Sequence, residues 1–341
     1  MSASSKSTEM KKSSEIKLHQ TMRGHVGVVS GVAQLPDRRH IITCSWDGSL
    51  RLWERESGAQ IGREWRDDED EAQMCSIALS PNGETVVSGS SDGMVRLWNI
   101  ETRKVIAKWT GHTKHVWSVC WSRDGGRVAT GSHDGTARVW DVESGETVLG
   151  PITTGHKDID AVAFSPDASN FATGGGNDGI KIWDTRTGEL LSSLEQHSRV
   201  LSLVWTSDQK KLLAGGRNGS ITILDTATWE QIAILEDHTY AIYALSLSQN
   251  DRLLASGSYR IACLWNLDTN LPVGTPLQHQ DHVLRTAFSA DGRFLATACY
   301  DKNAYVWDVH TILQEAGLED LLSVPNASSH IASTFRLYAF Y

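Results

Sequence analysis

Seven apolar runs, each closed by a similar tripeptide, recur at nearly equal intervals and restrict the possible folds more than any other feature of the sequence. Each tripeptide holds an aliphatic residue, a central anchor and an acidic or amide residue, and six of the seven anchors are Trp. The anchors are Trp53, Trp98, Trp140, Trp183, Leu224, Trp265 and Trp307. Their spacings are 45, 42, 43, 41, 41 and 42 residues. This period indicates stacked units that bury their apolar faces against one another.

Within each unit, short runs of alternating apolar and polar residues are separated by turns that often contain Asp-Gly. The third unit has runs at 116–121, 127–131 and 136–142, and a fourth run follows every anchor but the last, as at 104–109 and 188–194. Alternation of this kind, with tight turns between the runs, predicts antiparallel hairpins. Four strands in each of seven units predict an all-β, seven-bladed β-propeller.

The two ends of the repeated region indicate how the ring closes. No fourth strand follows Val309, and residues 311–322 have a helical pattern instead. Residues 16–22 lie just before the first Gly-His pair, where the other units have their fourth strand. We expect this N-terminal strand to complete the seventh blade, because an open ring would leave two edges of unpaired backbone groups. The expected divisions are a disordered tail at 1–15, the propeller at 16–309, and a helical segment with a C-terminal tail at 310–341.

Charge and apolar content exclude several classes of function. The 341 residues include 32 Lys and Arg against 41 Asp and Glu, a net charge of -9, so direct nucleic-acid binding is not expected. No apolar run reaches the roughly 18 residues of a membrane span. The first twenty residues lack a secretory signal, and the five cysteines form no C-x-x-C pair. We therefore expect a cytoplasmic or nuclear protein with reduced thiols.

The ends of the units carry the motifs of a known family. Gly-His pairs begin three units and Trp-Asp pairs close three, two of which have both, at Gly24-His25, Gly111-His112, Gly155-His156, Trp140-Asp141, Trp183-Asp184 and Trp307-Asp308. With these motifs and its seven repeats, the sequence resembles the WD-repeat family over about residues 16–309. The resemblance implies a seven-bladed propeller that serves as a non-catalytic platform for protein assemblies.

The family resemblance also implies a hydrogen-bonded His–Ser/Thr–Asp–Trp network inside the blades. Three blades have all four residues at spacings of 18, 4 and 6, namely His25, Thr43, Asp47 and Trp53; His112, Thr130, Asp134 and Trp140; and His279, Thr297, Asp301 and Trp307. A buried imidazole can accept from a hydroxyl while it donates to a carboxylate. The second blade has Asp70 in place of the His. The fifth has Ala214 and Leu224, so we expect it to be the weakest blade.

Several local motifs resemble catalytic or ligand sites but occur in the wrong context. The G-x-S-x-G match at 89–93 and the G-x-G-x-x-G match at 174–179 lie in repeat turns with no helix after them. Two H-x-x-H pairs begin at His112 and His279, which the blade network already uses. We therefore expect no enzyme activity, no catalytic residue, no cofactor and no metal site.

Partners of the family mostly meet the face that bears the turns before the first strand and between the second and third strands. Residues at those turns are rich in Trp, Tyr and Arg, which dominate binding energy at interfaces. The predicted partner-binding residues are Trp46, His115, Trp117, His133, Asp158, Arg199, Arg217, Tyr243, Tyr259, His282 and Tyr300. We expect a monomeric propeller whose partners are proteins or peptides of a multiprotein complex. The alternative is that these aromatic residues only pack over the blade ends.

Three further features leave alternatives open. Trp183, Asp184 and Arg186 resemble the W-D-x-R motif of substrate receptors for cullin-RING ubiquitin ligases, and Arg186 would then reach an adaptor from the opposite face. The acidic run at 67–71 is either a docking loop for a basic partner or a solvated loop. The aromatic segment at 335–341 could pack on the propeller, bind a partner or remain loose.

Overall fold

The computed structural model describes residues 18–67, 71–176, 179–195 and 198–323. In these residues, strands of four to eight residues alternate with tight turns, and one strand is longer. The expected tail at 1–15, most of the acidic run at 67–71 and the segment at 335–341 lie outside the described residues.

The first blade departs from the four-strand expectation. The chain begins with β1 (Leu18–Arg23), and the first blade is a three-stranded antiparallel sheet of β2 (Val29–Gln34), β3 (His40–Ser45) and β4 (Leu50–Glu54). Two isolated bridges, Leu50 to Trp65 and Trp53 to Gln60, hold the next segment against β4. Between them Gly62 has a φ of 73°, which takes the chain out of the extended conformation. The outer segment of this blade is therefore irregular.

The second to fifth blades are four-stranded antiparallel sheets in which sequential strands are neighbours. Their strands are β5 (Met74–Leu79), β6 (Thr85–Ser90), β7 (Val95–Asn99), β8 (Lys104–Trp109), β9 (Val116–Trp121), β10 (Arg127–Ser132), β11 (Thr136–Asp141), β12 (Thr147–Thr153), β13 (Ile159–Phe164), β14 (Asn170–Gly175), β15 (Ile180–Asp184), β16 (Leu190–Leu194), β17 (Val200–Trp205), β18 (Lys211–Gly216), β19 (Ser220–Asp225) and β20 (Gln231–Glu236). In each of these sheets the second strand has five buried residues of six, because both of its faces pack against neighbouring blades, whereas the fourth strand is mostly exposed or half-buried.

One long strand joins the sixth and seventh blades, and the N-terminal strand closes the ring. The remaining strands are β21 (Ala244–Leu247), β22 (Leu253–Gly257), β23 (Tyr259–Asn266), β24 (Leu271–Phe288), β25 (Phe294–Cys299) and β26 (Asn303–Asp308). The first part of β24 pairs with β23 and its last part pairs with β25. β1 pairs antiparallel with β26, with Met22 opposite Ala304. Closure of the seventh blade by the N-terminal strand is thus confirmed.

Apolar side chains between successive blades hold the ring together. The inner strands β2, β5, β9, β13, β17, β21 and β24 pack one against the next, and β24 packs against β2. A separate buried cluster fills each of the seven spaces between blades. In the closing cluster, Met22 packs with Val29 and Trp53 of the first blade and with Val306 of the seventh. The seven-bladed propeller predicted from the sequence is confirmed.

A short helix follows the last blade, where the sequence predicts a helix over 311–322. Helix α1 (Val309–Ala316) begins earlier because the carboxylate of Asp308 accepts from the N–H of Thr311 and caps it. It ends at Gly317, whose φ of 67° is left-handed. A 3₁₀ turn at Glu319–Leu322 follows, and Ile312, Leu313 and Leu321 pack under the last two blades. No helix in the described part of the chain could span a membrane.

Candidate functional site

The predicted rim residues come from two turns of each blade that backbone hydrogen bonds hold side by side. The turn after the second strand bonds to the turn before the first strand in six blades. In each blade the backbone N–H of the first residue donates to the C=O of the second: Trp46 to Val28, Ser91 to Gln73, His133 to His115, Gly176 to Asp158, Arg217 to Arg199, and Tyr300 to His282. The two turns of one blade therefore present adjacent side chains at one end of the central channel.

Aromatic side chains from four blades form a continuous arc around this end. We define the aromatic arc as His115, His133, Trp117, Trp46, Tyr300, His282, Tyr259 and Tyr243. Each ring lies 4.7–6.4 Å from a neighbouring ring between centroids, in stacked, tilted or edge-on pairs, and Tyr259 and Tyr243 both contact His282. Such pairs contribute about 0.5–1.5 kcal/mol beyond area burial. The rings thus pack on one another, yet 42% of Tyr300 stays exposed.

The arc crosses from the first blade to the third. Trp46 lies 6.4 Å from Trp117 between ring centroids, although the second blade stands between their strands. The second blade offers only Cys75 and Ser91 at the corresponding positions, and Cys75 lines the cavity beneath. Tyr240 extends the arc at its other end, 5.0 Å from Tyr259, and 57% of it is exposed. The predicted set did not include Tyr240.

Charged residues complete the ring opposite the arc. Arg199 binds Asp160 through both ends of its guanidinium, Nε to Oδ2 at 2.5 Å and Nη2 to Oδ1 at 2.8 Å. Asp158 lies 3.4 Å from Arg199, and His133 lies 3.5 Å from Asp160. Burial raises the pKa of Asp160, but hydrogen bonds from His133 and Arg199 outweigh it and hold that pKa below its usual value. Arg217 is exposed and makes no ion pair with the described residues.

A cavity of about 280 Å³ opens between the arc and the charged residues. Trp46, Trp117, Tyr243, Arg199 and Arg217 line it, and Arg285 lies where it continues into the lower channel. The guanidinium of Arg285 donates to the carbonyls of Leu284 at 2.8 Å, Trp117 at 3.2 Å and Tyr243 at 3.3 Å. Burial lowers the pKa of Arg285. This half-buried cation links carbonyls of the third and sixth blades across the channel.

Sequence reasoning missed Arg285, although the repeat contains a signal for it. Near the start of its first strand each blade has a large apolar residue, Val29 in the first blade and Val283 in the seventh. The residue two positions later is small in six blades and large in one. In blade order these residues are Gly31, Ser76, Ser118, Ala161, Ser202, Ala244 and Arg285. Small residues leave the channel open, and the single arginine fills part of it.

The predicted network has four partners in the first and third blades. His25 Nε2 lies 2.7 Å from Thr43 Oγ1, and His25 Nδ1 lies 2.9 Å from Asp47 Oδ2. The indole N–H of Trp53 donates to Thr43 Oγ1 at 2.8 Å. Because the carboxylate of Asp47 can only accept, Nδ1 of the neutral imidazole carries the proton, and Nε2 accepts from the hydroxyl of Thr43. The third blade repeats these contacts with distances of 2.8, 3.0 and 2.9 Å.

The seventh blade differs from the prediction at Asp301. His279 Nε2 meets Thr297 Oγ1 at 2.8 Å, and Trp307 donates to the same oxygen at 3.2 Å. The phenol of Tyr305, however, donates to Asp301. Nδ1 of His279 donates to the carbonyl of Leu277 at 2.9 Å instead. Tyr305 stands where the first and third blades have arginines, and its hydroxyl reaches the carboxylate that the imidazole was expected to bind.

An arginine replaces the missing histidine of the second blade. Trp98 still donates to Ser88 Oγ at 2.9 Å. Arg96, only 2% exposed, bonds through Nε to Asp67 at 2.7 Å and through Nη2 to Asp92 at 2.7 Å. Lys108 adds a contact of 2.8 Å to Asp67. The carboxylate of Asp92 thus has a cationic partner although the blade lacks the imidazole.

Acid should destabilise the propeller through its neutral buried histidines. Burial lowers the pKa of His238 and of His279 to about 4. The unfolded imidazole titrates near 6.5, so the unfolded state binds more protons below that pH and the free energy of unfolding falls from pH 6.5 towards 4. We expect each histidine to contribute a loss of about 2 kcal/mol at pH 5. Unfolding by guanidinium chloride at pH 7.5 and pH 5.0 measures this loss of stability.

The matched variant His279→Gln should lose less stability between these two pH values than the wild type, by about 2 kcal/mol. An equal loss in both proteins would contradict the role of His279.

The other motifs lie in ordinary turns of the repeat. Asp184 Oδ1 accepts from the N–H groups of Arg186 at 2.9 Å and Thr187 at 2.7 Å, and Trp183 is buried. Arg186 itself is exposed. Ser91 lies in the hairpin between β6 and β7. No three His, Cys, Asp or Glu side chains of the described ranges are grouped as a metal site requires.

Comparison with known families agrees with the repeat and the fold. The model of the WD domain, G-beta repeat, matches seven segments, at 16–54, 68–99, 103–141, 149–184, 188–225, 229–266 and 271–308. Each segment corresponds to one blade unit of the sequence. No curated protein matches the sequence at a significant level.

Proposed function

Because the chain belongs to the WD-repeat family, whose propellers are in general non-catalytic scaffolds for protein interaction, we propose that it binds a peptide or a partner domain at the mouth of its channel. The binding surface is the aromatic arc together with Arg199, Arg217 and Asp158. The bound partner joins the propeller to a larger protein complex.

The observation that carries this proposal is the cavity beside the arc. Tyr, Trp and Arg residues meet there around about 280 Å³ of open space. These residue types dominate binding energy at interfaces when they lie at the edge of a pocket that excludes water. Trp46 and Trp117 are held by ring contacts and Arg199 by Asp160, so a partner meets side chains that are already ordered.

Affinity capture from a cell lysate with the wild-type chain, followed by mass spectrometry, tests the proposal. Proteins that are retained by the wild type and lost when rim residues are changed support it. A set of captured proteins that does not respond to changes in the rim contradicts it.

A ubiquitin-ligase substrate receptor is the second candidate function. One observation favours it: Arg186 is exposed in the turn between β15 and β16, and its side chain forms no hydrogen bond or ion pair with the described residues. The turn itself needs only Asp184 as an acceptor, so it does not explain an arginine at this position.

Changing Arg186 to alanine decides between the two functions. If the chain is a ligase receptor, Arg186→Ala should abolish co-purification of the adaptor and leave the rim partners bound. If the rim is the only binding surface, this variant captures the same proteins as the wild type.

A further inference from the structure

Positive charge at the channel mouth is only partly neutralised. Three arginines line the cavity, Asp160 is the one acidic residue among its described lining residues, and Asp158 lies 3.4 Å from Arg199 beside it. Asp160 is engaged by both ends of the Arg199 guanidinium. Arg217 and Arg285 form no hydrogen bond or ion pair with a carboxylate of the described residues, and Arg285 feels Asp160 only at longer range, although the whole chain has a net charge of -9. The mouth is therefore a local positive region on an acidic protein.

The hydrogen bonds of Arg285 leave part of its guanidinium available. A guanidinium has five N–H donors, and the contacts of Arg285 are three, all to backbone carbonyls. Neutral carbonyls satisfy donors without compensating the charge, so a half-buried cation held in this way favours an anion beside it. The remaining donors suit the two oxygens of a carboxylate, which guanidinium groups bind in pairs.

We infer that the mouth receives the side-chain carboxylate of an Asp or Glu from an extended partner peptide. Arg285 at the floor and Arg217 at the wall bind the carboxylate, and neighbouring apolar or aromatic side chains of the peptide pack on the aromatic arc. This inference rests on the proposed function and specifies the partner for the same surface.

Two other ligand chemistries fit the mouth less well. A cation over the aromatic rings would face three arginines, and the rings already contact one another at 4.7–6.4 Å between centroids. A phosphate group carries up to two negative charges, and the carboxylate of Asp160 in the same cavity repels a dianion more than a monoanion.

A phage-displayed library of random nonapeptides provides the probe. The wild-type chain should select peptides with Asp or Glu at one fixed position beside an apolar or aromatic residue. Binding of one selected peptide and of its Glu→Gln or Asp→Asn version is then measured by fluorescence anisotropy. The wild type should bind the acidic peptide at least about tenfold more tightly than the neutral version, because a hydrogen bond to a charged group contributes about that much affinity.

The variants Arg217→Gln and Arg285→Met should each reduce this preference to about threefold or less. Arg217 is exposed, so its variant should fold normally, and circular dichroism checks the Arg285 variant. Arg123→Gln, in an exposed turn between β9 and β10, is the matched control and should keep the full preference.

The outcomes separate this inference from the proposed function. If the selected peptides need Trp117 for binding but show no preference for an acidic residue, the rim remains the binding surface and the carboxylate site is overturned. The same site is overturned if a phosphoserine peptide binds more than about tenfold tighter than its Glu version. A wild-type chain that selects no peptide overturns both.

Discussion

Replacing Trp117 and Tyr300 by alanine together should weaken binding of the rim partner at least about 100-fold, because each aromatic anchor at such a surface contributes about 2 kcal/mol or more. Trp117 stacks on His133 at 5.2 Å between centroids, and Tyr300 packs edge-on against Trp46 at 5.5 Å. Neither side chain belongs to the clusters between the blades, so the variant should remain folded. Affinity capture and a binding isotherm with the captured partner measure the loss.

The control for this variant removes apolar area of a similar kind from the outer edge of the ring. Ile106 and Ile232 lie on outer strands and are 54% and 51% exposed. Their double alanine variant should bind the partner as the wild type does. Equal binding by the rim variant and the wild type would show that the partner does not use the aromatic arc.

Replacing Arg96 by methionine should lower the free energy of unfolding by about 3 kcal/mol, because it removes the buried guanidinium that binds the buried carboxylate of Asp67 and the more exposed carboxylate of Asp92. The side chain of Arg96 is 2% exposed and bonds to Asp67, Asp92 and Ser90. Lys108 remains near Asp67 and is too exposed to replace the guanidinium. Guanidinium-induced unfolding measures the effect.

Arg51 provides the matched control, since it stands two residues before Trp53 as Arg96 stands two residues before Trp98. Its guanidinium bonds to the amide oxygen of Gln60 at 2.6 Å and makes no ion pair within the described part of the chain. Arg51→Met should cost only about 1 kcal/mol. Similar losses for the two variants would contradict the role of Arg96 as the substitute for histidine.

The regular repeat allowed the bounds of the strands to be predicted closely, because each anchor marks the end of the third strand in its blade. The predicted strands at 104–109 and 116–121 have the same bounds as β8 and β9. The helix prediction was less accurate because Asp308, taken as the end of a blade motif, also caps α1 through Thr311. The irregular outer segment of the first blade was missed because its departure depends on the local conformation at Gly62.

For the candidate site, the sequence predicted which turns face the channel but not which side chains meet across it. The contact between Trp46 and Trp117 depends on small residues in the blade between them. Asp301 bonds to Tyr305, which no spacing rule for the network includes. Arg285 was detectable as the one large residue in a column of small ones, but its bonds to Trp117 and Tyr243 require the closed ring.

Photo-crosslinking from single positions tests the location of the binding surface most directly. A benzoylphenylalanine in place of Tyr240, which is 57% exposed beside the aromatic arc, should capture the partner on irradiation. The same residue in place of Arg186 or Ile106 should capture none of it. Crosslinks from position 186 alone, with none from position 240, would contradict the proposal that this propeller binds its partner at the channel mouth.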